Sequence, residues 1–113
     1  MKVGVVGNRE GFGYEQVEEV LLLRLQPGDE IVSGGAIGVD SFAEQFAHKH
    51  GYNIKVFRPK YPSTRWYFKR NREIAEYCDK IIAFNKKERS GTTNTINIAR
   101  KIGKARLYTG NRS

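Results

Sequence analysis

The chain has 113 residues, 39% of them hydrophobic and 28% charged, which fits one globular domain over 1–113. No apolar run approaches a membrane span, and the only cysteine, Cys78, can form neither an internal disulfide nor a cysteine cluster for a metal, so a reducing cytoplasm is the expected setting. The formal net charge of +8 is divided unevenly: residues 1–50 carry four Lys/Arg against eight acids, and residues 51–113 carry sixteen against four, which points to an anionic partner.

The first element is "KVGVVG" (2–7), a strand rather than a signal peptide, because its apolar run is short and no small-residue cleavage motif follows. Residues 14–25 place Val17, Val20, Leu21 and Arg24 at helical spacing, and Pro27-Gly28 ends that helix. "EIVSG" (30–34) is a second strand. Residues 40–51 form a helix with Phe42, Ala43, Phe46 and Ala47 inward and Gly51 at its end; Ser41 and Glu44 have capping-box spacing.

"NIKVF" (53–57) is a third strand, followed by the loop "RPKYPST" (58–64). Residues 65–78 form a helix capped by Ser63 or Thr64, with Tyr67, Ile74, Ala75 and Cys78 on its inner face. "KIIAF" (80–84) is a fourth strand, "NKKERSG" (85–91) a polar loop, and 92–103 a helix with Ile96, Ala99 and Ile102 inward. "ARLYT" (105–109) completes the series. Five strands alternating with four helices predict a single Rossmann-like three-layer α/β/α sandwich with a mainly parallel five-stranded sheet in the order 3-2-1-4-5.

In such a sheet ligands bind beyond the carboxyl ends of the strands, where the strand order reverses. Gly7, Asn8 and Arg9 follow the first strand. Ser33, Gly34, Gly35, Ala36 and Gly38 follow the second, and Arg58 the third. Ser90, Gly91, Thr92 and Thr93 precede the last helix. Backbone amides and helix N-termini on that edge favour an anion, and a basic side chain must add to the weak dipole. Arg70 and Asn71, three and four residues after Tyr67, are placed to reach the crevice; the alternative is a solvated Arg70. Residues 90–93 suit a helix cap as well as a phosphate. Three glycines in 34–38 are expected to bring backbone amides close to a phosphoryl group, with tight strand-to-helix packing as the lesser reason.

Neither G-x-G-x-x-G nor G-x-x-x-x-G-K-[ST] occurs, which argues against a dinucleotide or ordinary ATPase site. His48 and His50 lie toward the far end of their helix, and no metal is expected. Lys55, Arg58, Lys60, Arg65, Lys69, Arg70 and Arg72 interleave with Tyr61, Trp66, Tyr67 and Phe68, residue types that suit phosphate contact and base stacking on single-stranded nucleic acid. The same aromatics also suit the core or a homo-oligomeric contact.

Taken together, "GNRE", "IVSGGAIGVDSFAEQFAHKHG", "RNREIAEYCDKIIAF" and "SGTTNTINIARKIG" resemble the SLOG superfamily (Smf/DprA and LOG proteins), most closely its small stand-alone YspA-like branch. The resemblance covers nearly the whole chain. It implies a Rossmann-like domain that binds or senses a nucleotide or nucleotide-derived ligand. By resemblance Gly34, Gly35, Gly38 and Asp40 form the second-strand loop, Arg70 and Asn71 sit on the helix before the fourth strand, and Gly91 and Thr92 form the phosphate-facing turn. Asp40 has three roles open: organising the loop, touching a sugar, or capping its helix. LOG-type N-glycosidic hydrolases carry P-G-G-x-G-T-x-x-E where this chain has "KERSGTTNT", so Thr95 stands at the position of the catalytic glutamate. Threonine cannot supply carboxylate chemistry, which leaves Glu73 as the nearest spare acid in sequence and puts the hydrolase reading in doubt. Ligand binding leads; LOG-like hydrolysis and DprA-like single-stranded nucleic-acid binding are the alternatives.

Overall fold

A computed structural model describes residues 1–8, 11–36, 38–85 and 91–109. Successive side chains of a strand point to opposite faces, and the three central strands are near-continuous apolar runs, so both of their faces are buried. Val3 and Val5 of β1 (Lys2–Gly7), Ile31 of β2 (Glu30–Ser33), and Ile82 and Phe84 of β4 (Lys80–Phe84) pack on one side. There they meet Val17 and Leu21 of α1 (Tyr14–Arg24) and Ala43, Phe46 and Ala47 of α2 (Val39–His50). Val6, Val32, Ile81 and Ala83 face the other side, against Ile74 and Ala75 of α3 (Thr64–Tyr77) and Ile96 and Ala99 of α4 (Gly91–Lys101). With β3 (Asn53–Val56) and β5 (Ala105–Thr109) at the edges, the sheet runs β3-β2-β1-β4-β5 with every pairing parallel. This is the expected Rossmann-like order. β1 is central, and succession reverses between β1 and β4.

Element boundaries agree with the sequence pattern to within about two residues. Local details differ for physical reasons. Gly38, at φ +85°, is the N-cap of α2, so Asp40 is not its cap, and Ser41 and Glu44 form no capping box. Glu44 instead accepts from Ser33 Oγ at 3.4 Å and from Arg58 Nη2 at 3.5 Å. Ile102 lies just past α4 and is 40% exposed; it does not join the core. Tyr67 is 41% exposed, so it does not extend the buried stripe of α3. Cys78 is fully buried, and burial first of all pushes its thiol pKa up to about 12. No helix among the described residues is long and apolar enough to cross a membrane, and no cluster of His, Cys, Asp or Glu there could hold a metal.

Candidate functional site

Beyond the carboxyl ends of β1 and β2 lies a cavity of about 770 Å³, in the size range of small-molecule sites. Val6, Gly7 and Asn8 form its floor, Gly34, Gly35 and Ala36 one wall, and Asp40 a corner beside that wall. Thr64, Tyr67, Phe68, Arg70, Asn71 and Ile74 of α3 contribute the facing wall. Pro59 and the first turns of α4, through Thr92 and Thr95, complete it.

The glycines after β2 have a specific cause. A Cβ on Gly34 would lie 2.8 Å from both Arg70 Nη1 and Asp40 Oδ2. At Gly35, with φ +73°, a Cβ would lie 2.5 Å from Arg58 Nη1. Both positions are bare because charged side chains press on the loop backbone. Arg70 Nη1 donates to Gly34 O at 2.6 Å and Arg58 Nη1 to Gly35 O at 3.0 Å. The loop's amides are also engaged within the chain: Gly35 N donates to Ser33 Oγ at 3.1 Å and Ala36 N to Asp40 Oδ2 at 3.3 Å. The Gly34 amide contributes to holding the same carboxylate. Asp40 thus organises the loop as its internal anion.

Arg70 is half-buried and fixed at both ends of its guanidinium. Nε donates to Asn71 Oδ1 at 2.9 Å, and Nη1 to the Gly34 carbonyl. Among the described residues no carboxylate lies within ion-pair distance of it. Burial lowers its pKa, opposed by the field of Asp40. Asp40 is 6% exposed, and burial pushes its carboxyl up to about 6, against the lowering influence of the Ala36 amide and of Arg70. Among the described residues Asp40 is the only acid lining the cavity.

Amide side chains tie the remaining elements to this rim. Asn71 Nδ2 donates to Asn94 Oδ1 at 3.0 Å, joining α3 to α4. Asn8 Nδ2 donates to Asn85 Oδ1 at 3.0 Å, and Asn85 Nδ2 reaches Thr93 Oγ1 at 3.5 Å. The ends of β1 and β4 and the start of α4 are therefore held in register.

Of the residues singled out from the sequence, Gly7, Asn8, Gly34, Gly35, Ala36, Asp40, Arg70, Asn71 and Thr92 line one cavity. Ser33 lies buried beneath the loop, Gly38 starts α2, Gly91 starts α4, Thr93 meets Asn85, and Arg58 clamps the loop from outside. Arg9 and Ser90 fall outside the described residues. Thr95 lines the cavity, whereas Glu73 is exposed and does not. His50 bonds Glu18 on the α1–α2 side, at 2.8 Å. Sequence reasoning named Thr64 only as a helix cap and Phe68 only among aromatics suited to base stacking, and it missed Asn94 as the partner of Asn71; positions 64, 67, 68, 71 and 74 repeat at helical spacing around Arg70 and could have shown the α3 wall.

The molecule is thus a doubly wound parallel α/β domain with a cavity of mixed polar and apolar lining, holding Arg70 and Asp40, at its topological switch point. Its fold is that of DprA proteins. DNA processing protein A from Streptococcus pneumoniae matches with a TM-score of 0.87 and 27% identity over 98% of this chain and 51% of that one. DNA processing protein A from Helicobacter pylori, whose structure addresses its single-stranded DNA binding mode, matches with a TM-score of 0.80 and 22% identity over 99% of this chain and 66% of that one. The chain therefore spans about half to two thirds of the length of these proteins. No protein-family model matches it, and neither does any curated protein.

Proposed function

We propose that this domain binds a nucleotide phosphate at the C-terminal rim of its sheet, and that the phosphate belongs to single-stranded DNA. The observation that carries the reading is Arg70: a half-buried guanidinium, oriented by Gly34 O and Asn71, facing a cavity and, among the described residues, without a carboxylate partner at ion-pair distance. A desolvated cation held in this way favours an anion. The start of α4 adds its dipole, and Thr92 a hydroxyl, on the same side. Likeness to the Helicobacter pylori protein supports a polynucleotide as the source of the phosphate. The volume of about 770 Å³ also suits a free nucleotide as a second reading. Binding is favoured over N-glycosidic hydrolysis because the single acid lining the cavity among the described residues, Asp40, is engaged by the loop amides and Thr95 offers no carboxylate.

The test is titration of an oligothymidylate and of thymidine monophosphate by fluorescence anisotropy and calorimetry. The oligonucleotide is expected to bind more tightly, with affinity falling roughly tenfold between 50 and 200 mM salt if two or three phosphates are neutralised. Tight binding of the mononucleotide alone would favour the second reading. Absence of binding by either would overturn the proposal.

Asp40 gives the reading a pH dependence. A phosphodiester does not titrate between pH 5 and 8, so the change comes from the protein. With its pKa at about 6, Asp40 is ionised at pH 7.5 and repels the bound phosphate; protonation relieves this. Affinity for an oligothymidylate is expected to rise about tenfold from pH 7.5 to 5. Asp40→Asn should bind at pH 7.5 as the wild type does at pH 5 and lose the dependence. The stability effect has the same direction. The folded pKa lies above the unfolded one, near 3.8, so the folded state takes up a proton between these values. Asp40's contribution is most favourable below about pH 4 and is lost as pH rises through about 6.

A further inference from the structure

A second cluster lies outside the cavity, at the turn into α3. Tyr61 and Trp66 meet edge to face, with ring centroids 5.4 Å apart and planes at 67°. Lys60 Nζ lies over the Tyr61 ring at 5.6 Å, and Lys69 Nζ over the Trp66 ring at 4.7 Å. Tyr61 is 53% exposed and Trp66 is only partly covered. None of these four side chains lines the cavity. Burying such rings would be the ordinary use of a Tyr–Trp pair; here they stand at the surface under lysine ammonium groups.

We propose that this pair is a base-stacking platform for a nucleotide next to the one whose phosphate enters the cavity. The inference rests on the phosphate reading above and extends it to at least two consecutive nucleotides. Charge complementarity selects the occupant. No acid occurs from residue 51 to residue 72, whereas seven Lys/Arg fall in that stretch. Large aromatic faces ringed by cations match a strand that alternates π-faces with phosphates. A lysine over an exposed ring is a replaceable cover: it can turn to a phosphate as a base takes the ring face. Continuity supports the same occupant, since Trp66 adjoins Tyr67, a residue of the cavity wall. A hydrophobic protein surface fits less well, because the exposed aromatics beside the pair, Tyr67 and Phe68, line the cavity, and the exposed leucines, Leu22 and Leu23, lie on α1 in the opposite layer.

Trp66 is the only tryptophan, so its emission reports on the platform alone. Two probes are titrated at low salt: an oligothymidylate of about twelve nucleotides, within the span of single-strand sites, and an abasic strand of equal length. The oligothymidylate is expected to quench Trp66. The abasic strand should bind more weakly and leave the emission little changed. Trp66→Leu and Tyr61→Ser, both at surface positions, should each weaken oligothymidylate binding roughly five- to a hundredfold while leaving abasic binding unchanged. Arg70→Ala should weaken both probes. Oligothymidylate binding with silent Trp66, or variants that bind both probes as the wild type does, would overturn the platform and leave the cavity reading standing. Failure of the wild type to bind either probe would overturn both. An emission change that follows protein concentration without DNA would show a second copy of the chain as the occupant and overturn the platform.

Discussion

Arg70→Ala is expected to weaken oligonucleotide binding about a hundredfold, with the fold retained. The magnitude follows from what the guanidinium can do in place. Its Nε and Nη1 are committed to Asn71 and to Gly34 O, which fix its plane, and Nη2 makes no hydrogen bond among the described residues. A charge-assisted hydrogen bond from such a partly desolvated group contributes about 2–3 kcal/mol, near two decades in affinity. Arg70→Lys should recover only part of this, because an ammonium keeps the charge without the planar fork. The alanine variant also removes the cation nearest to Asp40. Asp40 should then titrate still higher, and the fold should lose some stability at neutral pH. The double variant Arg70→Ala/Asp40→Asn separates the two effects: it is expected to unfold near the wild-type temperature and still fail to bind. Recovery of binding in that double variant would show that Arg70 served only to neutralise Asp40.

Gly7→Val is expected to be the most damaging single change to the fold. At the end of β1 a Cβ would lie 2.6 Å from the Cβ and Cγ2 of Val39 and 2.8 Å from the Phe84 carbonyl oxygen. Neither obstacle can rotate away. Val39 is fully buried at the start of α2, and Phe84 O accepts the Asn8 amide at 3.0 Å. Strand and helix must separate, at a cost of about 3 kcal/mol or more, which lowers the unfolding midpoint by roughly 10–20 °C. Gly4→Ala provides the contrast. There the nearest atoms are Ile81 Cδ1 at 2.8 Å and Cys78 Sγ at 2.9 Å, side-chain ends that can shift, so a smaller loss is expected. Thermal and urea unfolding of the two variants measure the difference. Equal stability would mean that the contact of β1 with α2 is looser than described.

The strands and helices were legible because the period-two alternation of Val3/Val5 against Val6, and the spacing of Val17/Leu21 and Phe46/Ala47, encode packing directly. The gathering of Gly34, Arg70 and Thr92 was legible because parallel topology sends successive loops to one rim. Several details were not. Asp40 could have been a cap, a sugar contact or a loop organiser; its role as the loop's internal anion depends on amides bent back by Gly34 and Gly35, which no spacing reveals. The exposed ring of Tyr67 followed the helical period but faced a cavity rather than the core, and periodicity cannot tell these apart. Asn94 went unnoticed because one amide among threonines has no pattern of its own; only the folded distance to Asn71 shows its partner.

The sheet order carries a consequence for how the rim comes into being. β1 is flanked by β2 and β4, and its pairing with β4 joins residues nearly eighty positions apart, Val3 with Lys80 through Gly7 with Phe84. The cavity draws on residues from Val6 to Thr95, so it cannot exist in any fragment that lacks either half of the sheet. Occupancy therefore reads out completion of the whole domain. A bound strand should shield amides throughout β1 and β4 from solvent exchange, far beyond the atoms it touches.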